Sequence, residues 1–195
     1  MFCKKLVEIS RSGQGTEAGL AQIIYTAMIP RCPAKLAFGG NSRWSTSALP
    51  RNPVYMQPIS APKPDWHIGY CEDDEDFSTE AMSVVHHHLA RKYTMPATGT
   101  ILPFITVELK SEGTGGTLLH ARYQAASSGT CAVESVRWLY KQANVFDSKI
   151  TDSVAFSLCA NGTVVELSIH WFSPEKRCYY MSRLKTFVTA EGEDV

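Results

Sequence analysis

The stretch "PFITVELKS", Pro103 to Ser111, constrains this chain more than any other. Its β-branched and apolar residues read as a buried strand, yet Glu108 and Lys110 interrupt it. Side chains alternate faces along a strand, so Glu108 and Lys110 look one way while Val107 and Leu109 look the other. A carboxylate and an ammonium sharing one face of an apolar strand make a candidate site. The bland alternative is an edge-strand ion pair, worth about 0 to 1 kcal/mol.

The flanking pattern predicts an α/β domain. "TEAGLAQIIYTAMI" sets Leu20, Ile23, Ile24, Ala27 and Met28 at helical spacing, with Thr16 as N-cap and Glu17 in the first turn. Residues 31–64, rich in proline towards their end, are expected to be irregular, apart from a short strand at "PVYMQPI". "DWHIGY" is a strand candidate ended by the acidic run "EDDED", after which Ser78 caps a helix expected to reach about Tyr93. Past the "SEGTGG" turn, Thr117 opens a helix to about Ala143, weakened without necessarily being broken at Ser127 to Gly129. "SVAFSLCANG", "TVVELSIHWF" and "CYYMSRLKTFV" then form a three-stranded antiparallel meander, reversing at Asn161-Gly162 and at "SPEK". Asn161-Gly162-Thr163 also matches a glycosylation sequon, but Asn-Gly between apolar runs is the stronger hairpin signal. One domain over residues 1–195 is expected, with a core of about 15–188 and a frayed tail at 189–195.

With 195 residues and 44% apolar content, the chain has enough to fill a single core. Nineteen basic residues balance nineteen acidic ones, so a nucleic-acid partner requires a locally basic groove rather than a basic protein. Six cysteines stand far apart, with no CxxC or Cys/His ligand spacing, which fits reduced thiols in an intracellular protein. "MFCKKLVEIS" lacks the apolar core of a signal peptide, and no window nears the roughly 20 apolar residues of a bilayer span. A soluble protein of the cytoplasm or nucleus, without membrane association, is the expectation.

Upstream of the strand, "PKPDWHIGY" puts Asp65 at the start of a second strand. Carboxylates from neighbouring strand ends can share a divalent cation, and a lysine beside them can orient or deprotonate water or stabilise negative charge. Magnesium suits such a set, because it takes a few carboxylates and completes its shell with water and substrate phosphate. Pro64-Asp65, then Glu108-Leu109-Lys110 on an apolar strand, then a helix carrying Gln124, resembles the PD-(D/E)XK nuclease superfamily of restriction-endonuclease-like folds. The order helix, strands, helix, strand resembles its core. The wording "PKPDWHIGY…LPFITVELKS…LLHARYQAASSG…RCYYMSRLKTF" is similar to a fungal branch considered a distant part of that superfamily.

The resemblance implies a mixed sheet flanked by helices with a C-terminal antiparallel extension, and a metal-dependent nuclease acting on DNA or RNA. It implies Asp65 and Glu108 as ligands of magnesium, with manganese as an alternative ion, and Lys110 as the catalytic lysine. Gln124 matches an accessory polar position and Glu17 the acidic residue of the first helix. Where RecB-like members carry a tyrosine four residues after the glutamine, this chain has Ser128. The competing expectation is an inactive module on the same fold that binds protein or nucleic acid, as in an effector or mobile-element protein.

Other signals carry less. In "VVHHHLARK", consecutive helical residues point about 100° apart, so His86, His87 and His88 cannot close on one ion; His86 is expected to pack beside Met82, Val85 and Leu89. "SEGTGGT" lacks the phosphate-loop patterns, and no GxSxG elbow supports Cys131, Ser127 or Ser128 as a nucleophile. Arg122, Arg137, Lys141, Lys149, Lys176, Arg177, Arg183 and Lys185 are the available cations, mostly on a solvated face, with Trp138, Trp171 and Tyr179 as stacking candidates. Trp138 and Trp171 are expected in the core.

Overall fold

The computed structural model describes residues 18–19, 21–22, 35–50, 60–72, 77–111, 115–144 and 153–188. Glu17, Lys149 and the "PVYMQPI" strand lie outside the described residues, and of the first helix only positions 18, 19, 21 and 22 are described, all helical. Six strands form one sheet in chain order: β1 (Leu36–Gly40), β2 (Trp66–Tyr70), β3 (Ile101–Leu109), β4 (Val154–Ala160), β5 (Val164–Ser173) and β6 (Cys178–Val188). β3 and β4 run parallel, and every other neighbouring pair is antiparallel. A parallel pair needs a crossover, which the 25-residue helix α3 (Leu118–Gln142) supplies. The protein is therefore a mixed α/β domain with a six-stranded mixed sheet.

The expected meander of β4, β5 and β6 is present. Asn161 builds its first turn, its Oδ1 accepting from the backbone N–H groups of Thr163 and Val164 at 3.0 and 2.7 Å. Thr117 caps α3 as expected, its hydroxyl accepting from His120 N–H at 3.3 Å. The helix continues unbroken through Ser127 to Gly129, where a Cβ on Gly129 would lie 2.2 Å from His170 Nδ1. That glycine marks a close approach of helix to sheet rather than a weak point.

Two expectations are corrected. Residues 31–64 are not wholly irregular, because Leu36–Gly40 pairs along its length with β2. "LAFGG" has little intrinsic strand character; it is a strand because β2 pairs with it and because its glycines admit what lies beneath. A Cβ on Gly39 would fall 2.5 Å from His67 Nε2, and one on Gly40 2.5 Å from the Asp65 carbonyl. The helix capped by Ser78 is also shorter than expected: α1 (Thr79–His86) stops, and α2 (Arg91–Thr94) resumes. His86 is exposed rather than packed, as are His87, His88 and Leu89, so no buried face sustains the helix there. Thr94, fully buried, bonds the carbonyls of Val85 and Ala90 at 2.9 and 3.2 Å and fastens the break.

The two faces of the sheet differ in chemistry. One carries Val107, Leu109 and Ala160, with Trp66, Leu158, Val165 and Ala21 packed against them. The other lies under α3 and meets a helix stripe of small residues, Ala121, Ala125, Ser128, Gly129 and Ala132, all buried. Small residues bring the helix axis close to the strands, so whatever stands on this face is shut away from water. Among the described residues, no helix is long and apolar enough to cross a membrane.

Candidate functional site

The face beneath α3 is polar. Register puts His67 of β2 beside Thr106 of β3, Thr106 beside Ser157 of β4, and Ser157 beside Ser168 of β5; all four are buried. One row further along, Glu108 pairs with Cys159 and Cys159 with Glu166. Asp65 precedes Trp66, whose partner is Val107, and therefore stands at the position opposite Glu108. Asp65, Glu108, Cys159 and Glu166 form one line across four strands.

Glu108 is 1% exposed. Ser128 Oγ lies 2.8 Å from Glu108 Oε1 and 3.0 Å from the Gln124 carbonyl oxygen. Its single hydrogen is shared between these two acceptors, so Glu108 Oε1 receives less than a full hydrogen bond from it. The second oxygen, Oε2, is buried with no hydrogen-bond partner among the described residues. Burial pushes the Glu108 carboxyl up to about 8, with the Asp65 charge adding to the rise, while Ser128 and the Lys110 charge oppose it. The nearby Lys110 charge does not offset the burial, so the ionised form of Glu108 is disfavoured where it stands.

Asp65 and Lys110 frame the open end of this line, both half-buried. The Leu109 N–H donates to Asp65 Oδ2 at 2.6 Å, which locks the aspartate against the residue following Glu108. Lys110 lies just past the strand end: its N–H still bonds the Ala160 carbonyl at 2.9 Å, and its Nζ donates to the Leu109 carbonyl at 2.7 Å. The three residues singled out from the sequence thus converge around Leu109. Gln124 does not join them through its side chain, which is exposed; its carbonyl meets Ser128, and Ser128, one turn later, reaches Glu108. Among the described residues no group of three or more His, Cys, Asp or Glu is arranged to hold a metal ion.

Two carboxylate clusters escaped the sequence reading. Glu166, 3% exposed, receives Arg122 through Nε and Nη2 at 2.7 and 2.6 Å and Arg183 through Nη1 at 3.0 Å. The Arg122 hydrogen bonds first, then those of Arg183, hold the Glu166 carboxyl below its usual range against the opposing effect of burial. At the far end of α3, Glu134 takes Arg137 at 2.5 Å and Lys141 at 2.6 Å, and accepts a short hydrogen bond from the Tyr179 hydroxyl. The Arg137 guanidinium lies 3.3 Å from the Phe172 ring centroid. Arg122, Arg137, Lys141 and Arg183 are therefore engaged in ion pairs rather than standing on a plain solvated face. The signal was available: Glu166, Ser168 and His170 repeat, at period two, the polar interruption that drew attention to Glu108.

The lesser signals resolve simply. Trp138 and Trp171 are half-buried, stacked on Tyr93 and Tyr180 with centroids 4.8 and 5.5 Å apart. Cys131 is fully buried and its thiol is pushed up to about 12 by burial, which suits packing and not nucleophilic work. His67 and His170, beside Thr100 and Ser157 at 3.2 and 2.8 Å, are each held down to about 4 by burial and stay neutral near pH 7.

No curated protein and no solved structure matches this chain. Residues 16–195 match the model of a family described as a domain of unknown function, DUF7924, and the chain belongs to that family.

Proposed function

We propose that the protein is a metal-dependent nuclease of restriction-endonuclease-like fold, with Asp65 and Glu108 as the ligands of magnesium or manganese and Lys110 as the catalytic lysine. The observation that carries this reading is the pairing register, which sets Asp65 opposite Glu108 at the carboxyl end of β3, with Lys110 one residue past that end. Support also comes from the element order, since strands, long helix and parallel strand follow one another as the sequence resemblance implies.

The donor set fits a small hard cation. Two carboxylates stand together, one with an oxygen that has no hydrogen-bond donor among the described residues, and magnesium asks for few protein ligands and keeps waters for the rest. The bound ion supplies Lewis-acid polarisation of a phosphoryl oxygen. Asp65, fixed by the Leu109 N–H, orients that set, and Lys110 brings positive charge to the same end of the strand, where negative charge grows on a phosphodiester under attack. Ser128 holds Oε1, leaving Oε2 as the oxygen to turn towards a ligand. Partners on this reading are a nucleic acid and one divalent ion.

One observation favours the second reading, a nuclease-fold module without chemistry that binds protein or nucleic acid. Glu108 exposes only 1% of its surface, and the described residues bring no third acidic or imidazole side chain to it. Cleavage of circular plasmid and labelled single strands separates the two. The nuclease reading expects cutting with magnesium or manganese, abolished by chelator and by Glu108→Ala and Lys110→Ala. Intact substrates under all ions would leave the binding module.

A further inference from the structure

We infer that Arg122 and Arg183, clasped by Glu166, form a subsite for a backbone phosphate of the nucleic-acid strand, set a few nucleotides from the bond acted on at Asp65 and Glu108. The inference rests on the nuclease reading for the identity of the ligand, and on the following geometry for the site.

Two guanidinium groups from different elements, α3 and β6, converge on one buried carboxylate, with contacts of 2.6 to 3.0 Å. Glu166 neutralises one of the two charges and leaves the cluster net positive. Each arginine carries five N–H donors, and Glu166 engages only Nε and Nη2 of Arg122 and Nη1 of Arg183. The two side chains stay 39% and 59% exposed, so part of each remains open to solvent. Arg122, bound through two nitrogens, has its fork fixed before any ligand arrives, while the more exposed Arg183 is tethered beside it by one contact to the same anion. Planar forks with fixed orientation are the donors that oxyanions of phosphate match two at a time.

Position completes the argument. Glu108, Cys159 and Glu166 occupy successive strands in one row, so the two carboxylates lie about 10 Å apart at the backbone, from a strand spacing of about 4.8 Å. That separation is about three times the axial rise of about 3.4 Å per nucleotide in a duplex, and spans fewer steps of an extended single strand. The row itself is sealed beneath α3, so a strand can only pass outside it, with the half-buried Lys110 on the β3 side and the partly exposed Arg122 and Arg183 on the β6 side. A neutral protein needs such a local cationic anchor to hold a polyanion at all.

The test measures binding apart from cutting. Fluorescence anisotropy of a short labelled DNA strand and its duplex is recorded in chelator across a salt series, for the wild type, Arg183→Gln, Arg183→Lys and Arg122→Gln. Arg183→Gln should weaken binding about 5- to 10-fold and lower the salt slope by about one, with at most a small drop in melting temperature because Arg122 still pairs with Glu166. Arg183→Lys should keep the slope and recover only part of the affinity, because it keeps the charge and loses the fork. Inorganic phosphate at millimolar concentration should compete weakly, and equally for wild type and Asp65→Asn; competition as strong as that of the strand would make a free phosphate the ligand and overturn the inference. Wild-type affinity in Arg183→Gln at every salt, or no binding by the wild type, would also overturn it. Cutting is scored separately with magnesium: binding lost in Arg183→Gln without any cutting by the wild type sinks the nuclease reading and keeps the phosphate subsite, and the reverse pattern does the opposite.

Discussion

Glu108 and Glu166 stand two strands apart on the same face of the sheet, separated by Cys159, and both are almost wholly removed from water. One is sparsely partnered: a serine hydroxyl on one oxygen, no hydrogen bond on the other among the described residues, and a pKa raised to about 8 by burial. The other is saturated by two guanidinium groups and held below the ordinary carboxylate range. Burial is common to both and so cannot be what separates them. The difference is what reaches over each: Glu166 lies where α3 and β6 both send long side chains inward, while Glu108 lies under the mid-helix, where only Ser128 fits. Glu166 is held in its charged form within the protein, whereas burial outweighs the Lys110 charge at Glu108 and favours its protonated form.

The largest separation should appear in catalysis. Asp65→Asn and Glu108→Gln should lower magnesium-dependent cleavage at least about 100-fold, whereas Glu166→Gln should keep the turnover rate within a few-fold and act on KM. Equal losses in all three, at substrate saturation, would erase the distinction.

Next in size is a pH effect on stability. Glu108 has its folded pKa raised from 4.5 to about 8, so its contribution is fully present below about pH 4.5 and is lost as pH rises through about 8. His67 and His170 act in the other sense: with folded values near 4 against 6.5, they add stability above pH 6.5 that disappears on acidification. Between pH 6.5 and 9 Glu108 is therefore the one of these three groups whose contribution changes. Urea unfolding in chelator should show wild-type stability falling across that range by on the order of a few kcal/mol, and Glu108→Gln nearly flat.

Glu166→Gln, by contrast, should destabilise at every pH above the ordinary carboxylate range. A loss of about 1 to 3 kcal/mol is expected, below that of a fully buried pair because both arginines are partly exposed. A gain in stability would show that the arginines are held at net cost. The smallest effect belongs to Ser128→Ala, which removes the donor to Glu108 Oε1 and should cost about 1 kcal/mol at pH 8 and less at pH 5, as read from thermal melts.

The sequence displayed this site unevenly, for physical reasons. Glu108 and Lys110 stood out because an apolar strand makes a polar interruption visible, and Asp65 because proline announces a strand entry. Ser78 and Thr117 marked their caps, since capping is a local reaction between a hydroxyl and the next few N–H groups. What stayed hidden depends on partners remote in sequence. Glu166 is 44 positions from Arg122, and nothing within β5 says which arginine will reach it. The β1 strand and the role of Gly129 are tertiary as well: both follow from how closely a backbone must pass His67 and His170. The early end of α1 reflects missing burial around His86, which helical periodicity alone does not reveal.

The contrast between the two carboxylates is tested most directly by titrating purified protein with manganese in a calorimeter. One saturable ion per chain is expected for the wild type, absent in Asp65→Asn and Glu108→Gln and retained in Glu166→Gln. No saturable binding by the wild type, or binding undiminished in Glu108→Gln, would contradict Glu108 as a metal ligand.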